Sequence, residues 1–199
     1  SIFLSGPNQW PPLERFREPL EAYHKTMKEL GFQLMKVALH SVGAEQDDIL
    51  DAFQIPTTWL RLLHYPSSSG SSSEGVYGSA PHVDFGCLTL LAQDDVGGLQ
   101  VLYQEKEWLD VPCLPNSLVL NVGEMLHRLS NGLLQPTPHR VINHEMQGRF
   151  SCPFFYDPNV NTTISPLRGT GKPKFNPICF AEFLESELTA GYSRQQTNA

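Results

Sequence analysis

At Pro56 the hydrophobic pattern of the chain changes period, and this change limits the fold more than any other feature. Before it, from Leu13 to about Val42, apolar residues recur at spacings of three and four. Leu20, Tyr23, Met27, Leu30, Leu34, Val37 and Ala38 draw one stripe, the pattern of an amphipathic helix. Gly31 weakens this helix locally, and Gly43 suits its end. Gln46 to Phe53 reads as a second, short helix. After Pro56 come short β-rich runs bounded by Gly, Pro, Asn and Asp. The expected strands are Thr58–Tyr65, Val83–Ala92, Leu99–Tyr103, Trp108–Val111, Ser117–Asn121, Gln135–Asn143 and Arg149–Tyr156. Ser67–Gly75 is a flexible loop by composition, a candidate lid. From Asn159 the chain is loop-like, broken by Pro166, Gly169, Gly171, Pro173 and Pro177. Phe180–Leu188 reads as a last helix.

Many short strands at this spacing make a sandwich, a jelly roll or a barrel. The expected fold is therefore mainly β with flanking helices, on an antiparallel double-sheet core of jelly-roll type. A helical segment at 1–55, the core at 56–165 and a loop plus helix at 166–199 would form one domain, and 199 residues suffice for its core. A net charge of -7 argues against a nucleic-acid partner. No run reaches the roughly 18 apolar residues of a membrane span, and no signal-peptide pattern opens the chain. Ser1 in place of Met reads as a processed form or a fragment. Cys87, Cys113, Cys152 and Cys179 form no CxxC pair and read as reduced thiols of a cytoplasmic protein. In that compartment the sequon Asn161-Thr162-Thr163 stays unmodified. Oligomeric state is not legible.

Five residues carry chemistry. They are His82 and Asp84 in PHVDFG, His139 in PTPHRVIN, and Arg149 and Ser151 in GRFSCPFFYDPN. With 7 histidines and 21 acidic residues, chance alone supplies a His-x-acid pair, so its context must carry the argument. On a strand, His82 and Asp84 would point to one face. A third ligand from a neighbouring strand would give the two-histidine, one-carboxylate set of a non-haem iron(II) oxygenase, with three coordination positions left open. His139 is the best candidate. His24 and His40 fall in the helical segment, His64 faces away from Tyr65, and His127 and His144 read as surface or loop residues. Arg149 and Ser151 share a strand face and can clamp a carboxylate. In the apolar run FSCPFF an unpaired guanidinium would be costly, so Arg149 needs an anionic partner.

The stretches LRLLHYP, HVDFGCLTLLAQDDVGGLQV, NVGEMLHRLSNG, TPHRVIN and GRFSCPFFYDPN, in this order, resemble the isopenicillin N synthase-like group of iron(II)/2-oxoglutarate-dependent dioxygenases. The resemblance runs from about Gly6 to Asn159 and implies a cupin-like double-stranded β-helix. It implies iron held by His82, Asp84 and His139, and 2-oxoglutarate gripped at its distal carboxylate by Arg149 and Ser151 with help from Tyr65. Phe85, Leu91, Leu99, Val141 and Phe155 match positions that line the substrate pocket. The implied activity is a dioxygenase that consumes O2 and hydroxylates, desaturates or cyclises a small organic molecule, releasing succinate and CO2. An oxidase of the same fold that does not use 2-oxoglutarate, and a non-catalytic binding module, are the alternatives. Two departures stand out. Leu63 replaces an asparagine common in plant relatives, and the N-terminal region that usually precedes the long helix is missing.

Overall fold

The structure is a computed structural model describing residues 6–45, 47–67, 77–144 and 146–197. Gln46 and nearly all of the serine-rich loop expected at Ser67–Gly75 lie outside the described residues. The elements run α1 (Arg17–Ser41), α2 (Asp47–Leu50), a 3-10 turn (Asp51–Phe53), β1 (Thr57–Leu60), β2 (Leu63–Tyr65), β3 (Tyr77–His82) and β4 (Leu88–Gln93). There follow β5 (Leu99–Tyr103), β6 (Glu107–Asp110), β7 (Val119–Val122), α3 (Glu124–Leu129), β8 (His139–Ile142) and β9 (Arg149–Asp157). Last come β10 (Thr163–Ile164), β11 (Ile178–Cys179) and α4 (Phe180–Thr197). Contacts gather these into two compact units, one of residues 1–57, 128–132 and 157–199, the other of 58–127 and 133–156.

In the first unit, α1 follows the Pro11-Pro12 segment and ends at Ser41, with Gly43, whose φ of 69° suits a residue without Cβ, two residues beyond. Its buried row is Met27, Gly31, Met35 and Leu39. The expected stripe shares only Met27 with this row, and Val37 is 64% exposed. Apolar residues cover a wide arc of α1, so packing rather than spacing selects the buried line. Gly31 sits inside that line, buried despite its poor helix propensity. Asn131, 1% exposed, organises the loop between β10 and β11. Its Nδ2 donates to the carbonyls of Thr170 and Lys172, and its Oδ1 accepts from the Lys174 N–H. The β10–β11 pair is too short to show a sequence period, which is why the stretch after Asn159 reads as loop.

The second unit holds two antiparallel sheets. One runs β1-β9-β4-β7 with β2 also paired to β9; the other runs β3-β8-β5-β6. This is a jelly-roll core, as expected. Several boundaries differ. The Thr58–Tyr65 run breaks at Arg61–Leu62 into β1 and β2. The Gln135–Asn143 run shrinks to β8 because Pro136 and Pro138 cannot donate to a ladder. The expected Val83–Ala92 strand begins only at Leu88, and β3 was hidden behind the serine-rich composition. Thus Asp84 lies beyond the end of β3, and strand parity does not bring it to His82.

Short α3 takes over that task. The N–H groups of Gly123, Glu124 and Met125 donate to the carbonyls of Cys87, Asp84 and Gly86 at 2.9, 2.8 and 2.8 Å. The start of a helix has spare N–H groups, and here they fasten the loop that carries Asp84. A Cβ on Gly123 would lie 2.3 Å from the Gly86 oxygen and 2.9 Å from the Asp84 oxygen. Backbone atoms on both sides leave little room to yield. Gly123→Ala is therefore expected to lower unfolding free energy by about 1–3 kcal/mol. Chemical denaturation checks this, and parental stability would show that the loop has slack.

Candidate metal and cosubstrate site

His82 and His139 face each other across the β3–β8 ladder, where they are register partners. Their rings lie 4.3 Å apart between centroids. The Nδ1 of His82 bonds the Ala80 carbonyl at 2.8 Å, and the Nδ1 of His139 bonds the Thr137 carbonyl at 3.1 Å. A carbonyl only accepts, so each Nδ1 carries a proton, and in the neutral imidazole the lone pair is then on Nε2. Those Nε2 atoms stand 3.8 and 3.7 Å from Asp84 Oδ1. The other carboxylate oxygen, Oδ2, accepts from Thr89 Oγ1 at 2.6 Å and from Asn121 Nδ2 at 2.9 Å. Asp84 is thus divided between two tasks: one oxygen is fixed by the second sheet, and the other faces the imidazoles.

One potential ligand atom from each of the three residues falls within 4.8 Å of the others. Burial is the main force holding the His139 pKa below its ordinary value, against the opposing pull of Asp84 and the Thr137 carbonyl. His139 is accordingly neutral and ready to ligate. The donor set of two imidazoles and one carboxylate fits iron(II). The other histidines stay out of the cluster. His64 stacks on Phe150 and His144 is exposed. His127, expected at the surface or in a loop, is half-buried on α3 with its Nδ1 bonded to the Leu134 carbonyl.

Arg149 opens β9 and is 2% exposed. Its Nη2 donates to Gln93 Oε1 at 2.9 Å, and its guanidinium lies 5.2 Å from the centre of the Tyr65 ring. Tyr65 is its register partner on β2. Arg149 Nε and Nη1 are buried with no hydrogen-bond partner, and among the described residues no carboxylate pairs with the guanidinium. A buried cation with orphaned donors fits an anionic ligand. Ser151 lies two residues on, 7% exposed, and on the same strand face. The donors found here therefore suit a carboxylate group.

Phe155 pairs with Thr89, and Leu91 stands two residues along the same face of β4. Leu99 pairs with Val141, two residues on from His139, and both are buried. These four residues share strand faces with the site. Phe85, next to Asp84, is 37% exposed. Thr89, Asn121 and Gln93 escaped the sequence reading. The signal was two polar residues on one face of an otherwise apolar strand, Thr89 and Gln93 in LTLLAQ.

Residues 56–158 match the 2OG-Fe(II) oxygenase superfamily. The chain belongs to this family, and its two antiparallel sheets fit the family's double-stranded β-helix, with His82, Asp84 and His139 forming a group that fits iron(II). It is 33% identical to the 2-oxoglutarate-Fe(II) type oxidoreductase hxnY of Emericella nidulans, an alignment spanning 96% of the chain and 58% of that relative. It is 32% identical to a homoarginine-6-hydroxylase of Glycine max, over 95% of the chain and 61% of the relative. The fold superposes on a full-length Neurospora crassa protein, crystallised in complex with alpha-KG, with a TM-score of 0.85 and 29% identity, covering 94% of this chain and 62% of that one. The chain thus spans about three fifths of the length of these relatives. Among the described residues no helix is long and apolar enough to cross a membrane.

Proposed function

We propose that the protein is an iron(II)- and 2-oxoglutarate-dependent dioxygenase that oxidises a small organic molecule, with succinate and CO2 as co-products. The observation that carries this reading is Arg149, a buried cation with two unpartnered donors, in the same sheet core as an open two-histidine, one-carboxylate cluster. Iron bound by His82, Asp84 and His139 would supply O2 activation at its remaining positions. The chain's own residues do the rest. The two carbonyl-fixed imidazoles and the half-tethered carboxylate hold a rigid face of ligands. Arg149 and Ser151 grip the distal carboxylate of 2-oxoglutarate and so orient its keto acid end, with Tyr65 supporting the guanidinium from the facing strand. Phe85, Leu91, Leu99, Val141 and Phe155 form an apolar wall that keeps water from the substrate.

Solved relatives bind small molecules: the same Neurospora crassa protein with alpha-KG and thymine, and JOX2 with 2OG, Fe and JA. A small organic substrate is therefore the reading for this chain too, reached by hydroxylation, desaturation or cyclisation. Four free cysteines suit the reducing cytoplasm. The test is O2 uptake with iron(II) and 2-oxoglutarate, followed by succinate analysis. Succinate formed in step with O2 consumption is expected. O2 uptake without succinate would overturn the role of 2-oxoglutarate, and tight ligand binding without any O2 uptake would overturn catalysis.

A further inference from the structure

At the end of β4, in the segment AQDDVGG, two consecutive polar residues, Gln93 and Asp94, reach β9 from one side. Gln93 is the register partner of Ser151, and its Oε1 accepts from Arg149 Nη2 at 2.9 Å. Asp94 exchanges backbone and side-chain bonds with the residue between the two: its N–H donates to the Phe150 carbonyl at 3.2 Å, and its Oδ2 accepts from the Phe150 N–H. Val96 N–H caps the other oxygen, Asp94 Oδ1, at 3.2 Å. The carboxylate at 94 is therefore spent on backbone, and the neutral amide at 93 meets the guanidinium.

We propose that Gln93 is a positioning residue for the dicarboxylate end of the site, acting through Arg149; this rests on the reading of Arg149 as the anchor for 2-oxoglutarate. An amide oxygen fixes the guanidinium by one hydrogen bond without cancelling its charge. Nε and Nη1 stay free and fully attractive to an incoming anion. A carboxylate in the same place would hold the arginine at least as firmly, but as a closed ion pair that competes with the ligand. An apolar side chain would leave Nη2 a third orphan and the guanidinium without a fixed direction. Asp94, by holding Phe150, keeps the Arg149 and Ser151 side chains in phase on one strand face.

The experiment is calorimetric titration of the manganese(II)-loaded protein with 2-oxoglutarate and with 2-oxopentanoate, which keeps the keto acid end and lacks the distal carboxylate. Gln93→Leu is expected to weaken 2-oxoglutarate binding about tenfold or more and to leave 2-oxopentanoate binding unchanged. Gln93→Glu, isosteric with the parent, is expected to weaken 2-oxoglutarate binding further, by about 100-fold, again sparing 2-oxopentanoate. Its isosteric shape keeps the test independent of whether Gln93→Leu folds. Parental affinity in both Gln93 variants, with Arg149→Met defective, would overturn the role of Gln93 and leave the Arg149 reading standing. Equal loss of both ligands would also overturn it, as the mark of a merely structural residue. Parental 2-oxoglutarate binding in Arg149→Met would remove the anchor itself.

Discussion

Asp84→Asn is expected to fold like the parent and to lose iron(II) binding by more than about 100-fold, beyond the range seen when residues behind a ligand are replaced. The reason lies in how the carboxylate is shared. Oδ2 accepts from both Thr89 and Asn121, while Oδ1 faces the two imidazole Nε2 atoms. An asparagine that keeps the first pattern places its carbonyl oxygen at Oδ2 and turns its NH2 towards the imidazoles. A donor cannot ligate a cation, and it occupies the lone pairs of the histidines as well. The reverse orientation offers a neutral oxygen in place of a charged one and sets its NH2 against the Asn121 NH2. Both orientations fail, although size and backbone are unchanged. Anaerobic iron(II) with 2-oxoglutarate should give the parent a weak visible charge-transfer band, absent in the variant, while circular dichroism and melting stay the same. An Asp84→Asn protein that keeps the band would remove Asp84 from the ligand set.

Part of this candidate site was legible in the sequence. The convergence of His82, Asp84 and His139 and the shared strand face of Arg149 and Ser151 follow from residue types placed in a β-rich frame, and the order of motifs adds the family. The route by which the residues meet was less legible. His82 and Asp84 look like a strand pair in sequence, but β3 stops at His82 and the bonds of α3 place Asp84. Helices of one or two turns leave no period to read, so α3 and the role of Gly123 stayed hidden. Thr89, Asn121 and Gln93 were hidden for another reason. Each is an ordinary polar residue on a strand, and only the register of β4 with β7 and β9 shows what it touches. The stripe of α1 failed because a helix with apolar residues on a wide arc admits several lines of burial, and the choice among them is made by the partners.

Arg149→Met separates stability from ligand binding in opposite directions. In the parent without ligand, a guanidinium 2% exposed has one neutral hydrogen bond and one aromatic face to offset its lost hydration. Neither is an anion, and burial of an uncompensated charge costs several kcal/mol. Methionine spans a similar length with a flexible apolar chain and removes that cost, at the expense of the bond to Gln93. The ligand-free variant is therefore expected to match the parent in stability or exceed it by about 1 kcal/mol. Its response to ligand should vanish. At 2-oxoglutarate concentrations about 100 times its dissociation constant, the metal-loaded parent gains about 2.7 kcal/mol. The variant, deprived of a charge-assisted fork, should show almost none of this at the same concentration. Melting curves with manganese(II), with and without 2-oxoglutarate, measure both quantities at once. A variant much less stable than the parent that still responds to 2-oxoglutarate would mean that Arg149 holds the sheets together rather than the cosubstrate. The stated pattern instead identifies a residue whose buried charge is tolerated for the sake of the anion it receives.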